Sequence, residues 1–233
     1  MVDETKPPST FVINNLIRFL GFLLIFALLL FGSAGTFAYW QVWTFLIAFG
    51  LAVAIFMLYG IRRDPNLLLE RSRKARNVKH WDAVILNIYT VFLVSLMILA
   101  PLDGGRFHWS KVPLWVNLLG LGLMIPSFGL LMWVTATNTY LSRYVRIQDD
   151  RGHKVITSGP YHFVRHPMYA SNILFFPSIP LLLGSWWAMI PAFMIMGLFT
   201  LRTYLEDQTL QVELPGYKEY AQKIRYRLVP GIW

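Results

Sequence analysis

Cysteine is absent from all 233 residues, so disulfides, thiolate metal sites and a cysteine nucleophile are excluded. Charge is scarce too: Asp, Glu, Lys and Arg together make up 14% of the chain, against about a quarter in an average soluble domain. Several familiar signatures are also missing. No GxGxxG follows a strand and no P-loop is present, which removes a soluble nucleotide-binding domain. No HExxH or comparably compact pattern gathers His80, His108, His153, His162 and His166, so no metal site is expected. No GxSxG elbow accompanies Ser158, no repeat at a solenoid period is present, and no tract is of low complexity. The opening "MVDETKPPST" lacks the basic region and cleavage site of a signal peptide, so the first apolar run is expected to be retained as a span.

What the chain has in abundance is apolar surface. Hydrophobic residues make up 56% of it, with 9 Trp, 11 Tyr and 17 Phe, the composition of an all-α integral membrane protein whose rings favour the water-lipid boundary. A helix needs about 20 apolar residues to cross the hydrocarbon. Four runs meet that length: Phe19 to Ala38, Val42 to Ile61, Ala83 to Leu102 and Leu114 to Thr137. A fifth apolar region, Ser171 to Leu201, is broken by "LLGSWW", where Gly184 and Ser185 predict a tight turn beside the interfacial Trp186 and Trp187. The expectation is about six transmembrane helices: residues 1–137 form a four-helix scaffold, and residues 138–233 a functional region made of a helical hairpin and a tail.

Lys and Arg in alternate loops set the orientation. With the N-terminus in the cytoplasm, nineteen of the 21 basic residues fall on the inner side, leaving Arg106 and Lys111 outside. Both termini are therefore expected to be cytoplasmic. The net charge of +9 follows from the same bias, and with no basic module apart from the spans no nucleic-acid partner is expected. After "PG" at Pro215 and Gly216, the residues Tyr217, Tyr220, Ala221 and Ile224 fall at i, i+3, i+4 and i+7, predicting a short amphipathic helix on the membrane surface or over a site. The closing "RYRLVPGIW" is too apolar for a free tail.

The unusual polar residues concentrate in the last third. In "SGPYHFVRHPMY", Gly159 and Pro160 predict a turn and Pro167 a helix start, which gathers Tyr161, Arg165, His166 and Tyr169 near one helix N-terminus. Such an end favours an anion such as a carboxylate, although "RHP" also reads as an interfacial anchor. Arg202 and Glu206 share one helix face; they read either as an exposed intrahelical ion pair or as functional groups facing the bundle interior. With Asp207, Glu206 is expected to form an acidic spot suited to a cationic or diol-bearing ligand.

The runs "GHKVITSGPYHFVRHPMYAS", "RTYLEDQTL" and "LPGYKEYAQKIRYRLVPGIW" resemble the isoprenylcysteine carboxyl methyltransferase family and its bacterial and archaeal relatives, from Gln148 to Trp233. The resemblance implies an integral membrane enzyme that uses S-adenosylmethionine, in a multi-pass arrangement in a prokaryotic inner membrane. It assigns cofactor contacts to His153, Lys154, Val155, Ile156, Tyr161, His166, Pro167, Met168, Tyr169 and Glu206, with Gln148 in the place of a glutamine upstream at a shorter spacing. Arg202 matches an arginine near the methyl acceptor. The chain departs from the family where "EDQTL" replaces an "EExxL" pattern, and nothing in it identifies a prenyl-binding groove. The implied acceptor is thus a lipophilic or small molecule bearing a carboxylate, thiol or amine, reached from the bilayer. Alternatives are a phospholipid N-methyltransferase, an NADPH-dependent reductase of the membrane sterol type, which shares the "RHPxY" region, and a non-catalytic binding protein.

Overall fold

The computed structural model describes residues 9–64, 67–68 and 78–233. The opening residues 1–8, with Lys6, and the basic residues Arg71, Arg73, Lys74 and Arg76, which carry part of the orientation count, lie outside the described residues. Among the described residues the secondary structure is entirely helical. Four long helices come first: α1 (Ser9–Ala34), α2 (Trp40–Arg63), α3 (His80–Pro101) and α4 (Leu114–Thr137). They are long and apolar enough to cross a membrane. α1 begins well before Phe19 and ends before Ala38, and α3 runs on as a π-helical turn over Leu102–Phe107. Large apolar side chains such as Leu24, Leu28, Leu51, Val91 and Ile125 stand outward, as a lipid-facing surface requires.

α5 (Pro167–Leu183) and α6 (Met189–Glu213) follow, joined by the turn at Gly184 and Ser185. α5 has 17 residues, short for a span, and α6 carries its polar residues in its second half. Helix α7 (Tyr217–Lys223) then packs Tyr217 and Tyr220 inward.

Small residues let α4 and α5 meet closely. A Cβ on Gly120 would come within 2.3 Å of the Leu182 backbone nitrogen, so only glycine fits there. Asn117 Nδ2 donates to the carbonyls of Leu181 and Leu182 at 2.9 and 3.1 Å, and Ser127 Oγ to that of Ser171 at 3.0 Å, giving both polar side chains partners that lipid could not supply. A central core, with Leu30, Phe45, Met97, Met124, Ile179 and Ile195, fills the bundle. A second cluster caps one end and joins Leu67, Val134 and Leu141 to Tyr161, Leu214, Tyr217 and Tyr220. The polar residues of the last third collect at that end.

Candidate functional site

Gly159 adopts φ +57, and a Cβ there would lie 2.6 Å from Thr137 Oγ1, so the "SGPY" turn closes onto the end of α4 as only glycine allows. The turn delivers Tyr161 into the interior, where Asn138 Nδ2 donates to its hydroxyl at 2.7 Å and Tyr220 Oη donates to its carbonyl at 2.7 Å. Burial raises the Tyr161 pKa and keeps the phenol neutral. Pro167 starts α5 as the sequence predicts. The backbone before it pairs with the tail: Arg165 N donates to the Tyr226 carbonyl at 3.0 Å and His166 N to that of Arg227 at 2.9 Å. The N–H of His166 is therefore committed within the protein, and its Nε2 lies 3.2 Å from both Asp207 Oδ1 and Tyr217 Oη.

A cavity of about 100 Å³ opens between this turn, the 138–156 segment, α6 and α7. It is lined by Gln148, His153, Lys154, Val155, Ile156, Tyr161, His166, Met168, Tyr169, Arg202 and Glu206, that is, by every sequence-derived site residue except Pro167. Pro167 is buried as the first residue of α5. Gln148 is almost fully buried, with Nε2 donating to the Tyr140 carbonyl at 2.5 Å and Oε1 accepting from Arg151 Nη1 at 2.7 Å. His153 lies against the Tyr140 ring, centroids 4.6 Å apart, and burial and the neighbouring Arg151 lower its pKa.

Arg202 and Glu206 do not pair with each other in the way the sequence left open. Arg202 grips Asp82 at the start of α3, Nε to Oδ1 at 2.7 Å, and its Nη2 donates to the Arg143 carbonyl at 2.8 Å. Glu206 instead accepts a hydrogen bond from the Tyr169 hydroxyl and faces the cavity. Nor do Glu206 and Asp207 form one acidic spot. Consecutive helix residues point about 100° apart, and Asp207 turns away into a cage of cations. Arg165 Nη2, Arg227 Nε and Gln211 Nε2 reach its Oδ2 at 3.2, 3.0 and 2.9 Å, and Tyr217 Oη donates to its Oδ1 at 3.0 Å. Arg165 Nε lies 3.0 Å from Oδ1 but off the hydrogen-bond line. Burial, then Asp207, raises the Tyr217 pKa.

Sequence reasoning missed Asp82, Tyr140 and Asn138. Asp82 carried a usable signal, since an ionisable residue at the edge of an apolar helix seldom faces lipid. The other two differ in no way, as residue types, from ordinary interfacial positions.

Comparison with known proteins bears on the same segment. Residues 115–213 match the family model of phospholipid methyltransferases. That segment is similar to the membrane methyltransferases, the group that includes the isoprenylcysteine carboxyl methyltransferases. It contains α4, the "RHP" turn, α5 and α6, and so most of the cavity wall. Over 136 residues, 56% of this chain, the protein is also 31% identical to the cobalt-zinc-cadmium resistance protein CzcN of Cupriavidus metallidurans. The match spans 58% of that relative's length.

Proposed function

We propose that the protein is an integral membrane methyltransferase that uses S-adenosylmethionine and methylates a lipophilic or small acceptor at the cytoplasmic face. One observation carries this reading: residues scattered from Gln148 to Glu206 line a single cavity built largely by the segment that matches the methyltransferase family.

The donor set suits the cofactor's charges. Glu206 offers a carboxylate, and the aromatic residues Tyr161 and Tyr169 line the same space, side chains of the kinds that attract a sulfonium or ammonium. Lys154, exposed at the rim, offers a positive charge to a carboxylate. The volume of about 100 Å³ falls short of the roughly 300–1,000 Å³ of a typical small-molecule site, so binding requires the walls to part. The walls that are not bundle helices are the 138–156 segment, the 159–166 turn and the tail.

When bound, S-adenosylmethionine supplies a methyl carbon to which an acceptor lone pair bonds as the carbon–sulfur bond breaks. The protein's part is to bind, align and exclude water. Glu206, oriented by the Tyr169 hydroxyl, holds positive charge in the cavity. Arg202 faces the same space from the bundle side, where an acceptor arriving from the bilayer would meet it.

Thermal unfolding in detergent with S-adenosylhomocysteine or NADPH tests the reading. Stabilisation by the adenosyl ligand is expected, and its loss in Glu206→Ala with the unliganded melting temperature kept. Stabilisation by NADPH alone would overturn it.

A further inference from the structure

The family match begins at residue 115, yet the most polar contact to Arg202 comes from α3, outside that segment. Asp82 is fully buried in the first turn of α3. Its Oδ1 accepts from Arg202 Nε at 2.7 Å, while Oδ2 accepts from Arg202 Nη2 at 3.2 Å and from the backbone N–H of Val145 at 2.8 Å. Arg202 Nη2 also donates to the Arg143 carbonyl. One carboxylate therefore ties three parts of the cavity together: the scaffold helix, the 138–148 wall and α6.

The arrangement fixes how Arg202 meets a ligand. A guanidinium presents five N–H donors in a rigid fork. Here the edge formed by Nε and Nη2 is taken by Asp82, and among the described residues Nη1 makes no hydrogen bond. The guanidinium lies 5.5 Å from the Tyr169 ring centre, and Tyr169 in turn orients Glu206. Asp82 thus sets the position of Arg202 and stands at the start of a chain of contacts that ends at the proposed cofactor carboxylate.

We propose that Asp82 is a positioning residue of the methyl-transfer site: it acts through Arg202, holding the guanidinium so that only its Nη1 corner is offered to the acceptor, which is then met at one point and not by a two-point fork. This inference rests on the methyltransferase reading. It makes α3 part of the active machinery and not only a scaffold.

Two readouts test it. Membranes from cells producing the protein receive S-adenosylmethionine with a tritiated methyl group, and label entering the organic-extractable fraction measures turnover. Isothermal titration of purified protein with S-adenosylhomocysteine measures the donor side. Asp82→Asn is expected to lower turnover about 100-fold, the scale of a misplaced reacting group, while adenosylhomocysteine affinity stays within about 3-fold. Arg202→Lys should lose a similar factor, and Asp82→Asn/Arg202→Lys no more than Arg202→Lys alone, since residues that act as one unit are not additive. Losses that multiply, or full turnover in Asp82→Asn, would overturn the proposal.

If Asp82→Asn does not fold, Asp82→Leu/Arg202→Met removes both charges together, the change that buried pairs tolerate best. It should bind adenosylhomocysteine without turnover; turnover at the wild-type rate, or a folded protein that binds nothing, contradicts the proposal. A wild-type protein that neither transfers label nor binds adenosylhomocysteine overturns the methyltransferase reading and this inference with it. Wild-type transfer with additive variants overturns this inference alone.

Discussion

Asp103 and Asp207 are both fully buried carboxylates, at opposite ends of the bundle, and their surroundings differ in kind. Asp103 accepts from neutral donors: the backbone N–H of Ser110 at 2.7 Å and the hydroxyls of Ser110 and Ser185 at 2.6 Å each. Those serines in turn accept from the backbone N–H groups of Trp186 and Ala188, so the aspartate staples the π-helical turn to the α5–α6 turn. Asp207 is ringed by Arg165, His166 and Arg227, which arrive from the "RHP" turn and the tail. A carboxylate held by hydroxyls fastens two loops. One held by cations gathers charged segments that have no other reason to meet, and at this end of the molecule they enclose a cavity.

Removing each carboxylate should separate the two roles. Asp207→Ala leaves Arg165 and Arg227 buried or half-buried without their partner, a change that costs about 3–5 kcal/mol for a broken buried pair. The expected result is a large fall in melting temperature, faster hydrogen exchange over 217–233 as the tail loses its anchor, and loss of adenosylhomocysteine binding. Tail exchange unchanged from wild type would show that the backbone bonds of Arg165 and His166 suffice.

Asp103→Asn should do less. A single amide oxygen keeps either the Ser110 N–H, which sits on Oδ1, or the two serine hydroxyls, which share Oδ2, so the loss is about 1.5–3 kcal/mol, on the scale of a hydrogen bond to a charged group. Adenosylhomocysteine affinity should equal the wild type's. A binding defect in Asp103→Asn would mean that the two ends of the bundle communicate.

Much of the fold was legible because lipid imposes a simple rule. Long apolar runs became α1 to α4, Gly184 and Ser185 became a turn, and the i, i+3, i+4, i+7 pattern from Tyr217 became a helix with its tyrosines inward. The site residues after Gln148 were legible because they are dense in the chain and fit a known pattern. Pairings across the bundle were not. Arg202 has an acidic neighbour one turn away, and local spacing points to Glu206; its partner Asp82 lies 120 residues earlier, and only packing of α3 against α6 brings them together. Asp207 looked like an extension of Glu206 because adjacency in sequence conceals their divergence around the helix.

The smallest expected effect concerns His153 at the cavity wall. Its ring nitrogen Nδ1 lies 3.5 Å from the Gln148 backbone nitrogen, and the neutral imidazole lies tilted against Tyr140 beside Arg151. Burial and Arg151 hold its pKa below the ordinary histidine value of about 6.5. The unfolded chain therefore takes up a proton first as pH falls, and the folded form loses stability through the window below about 6.5, with nothing lost above it. The loss ends once pH drops below the folded-state value. Melting curves of the wild type and His153→Gln between pH 8 and pH 5 isolate this contribution, because every other titrating group is common to both. The difference between the curves should be constant above pH 7 and shrink toward acid. A difference that grows toward acid would mean that a carboxylate contact, such as that of Asp149, dominates at His153.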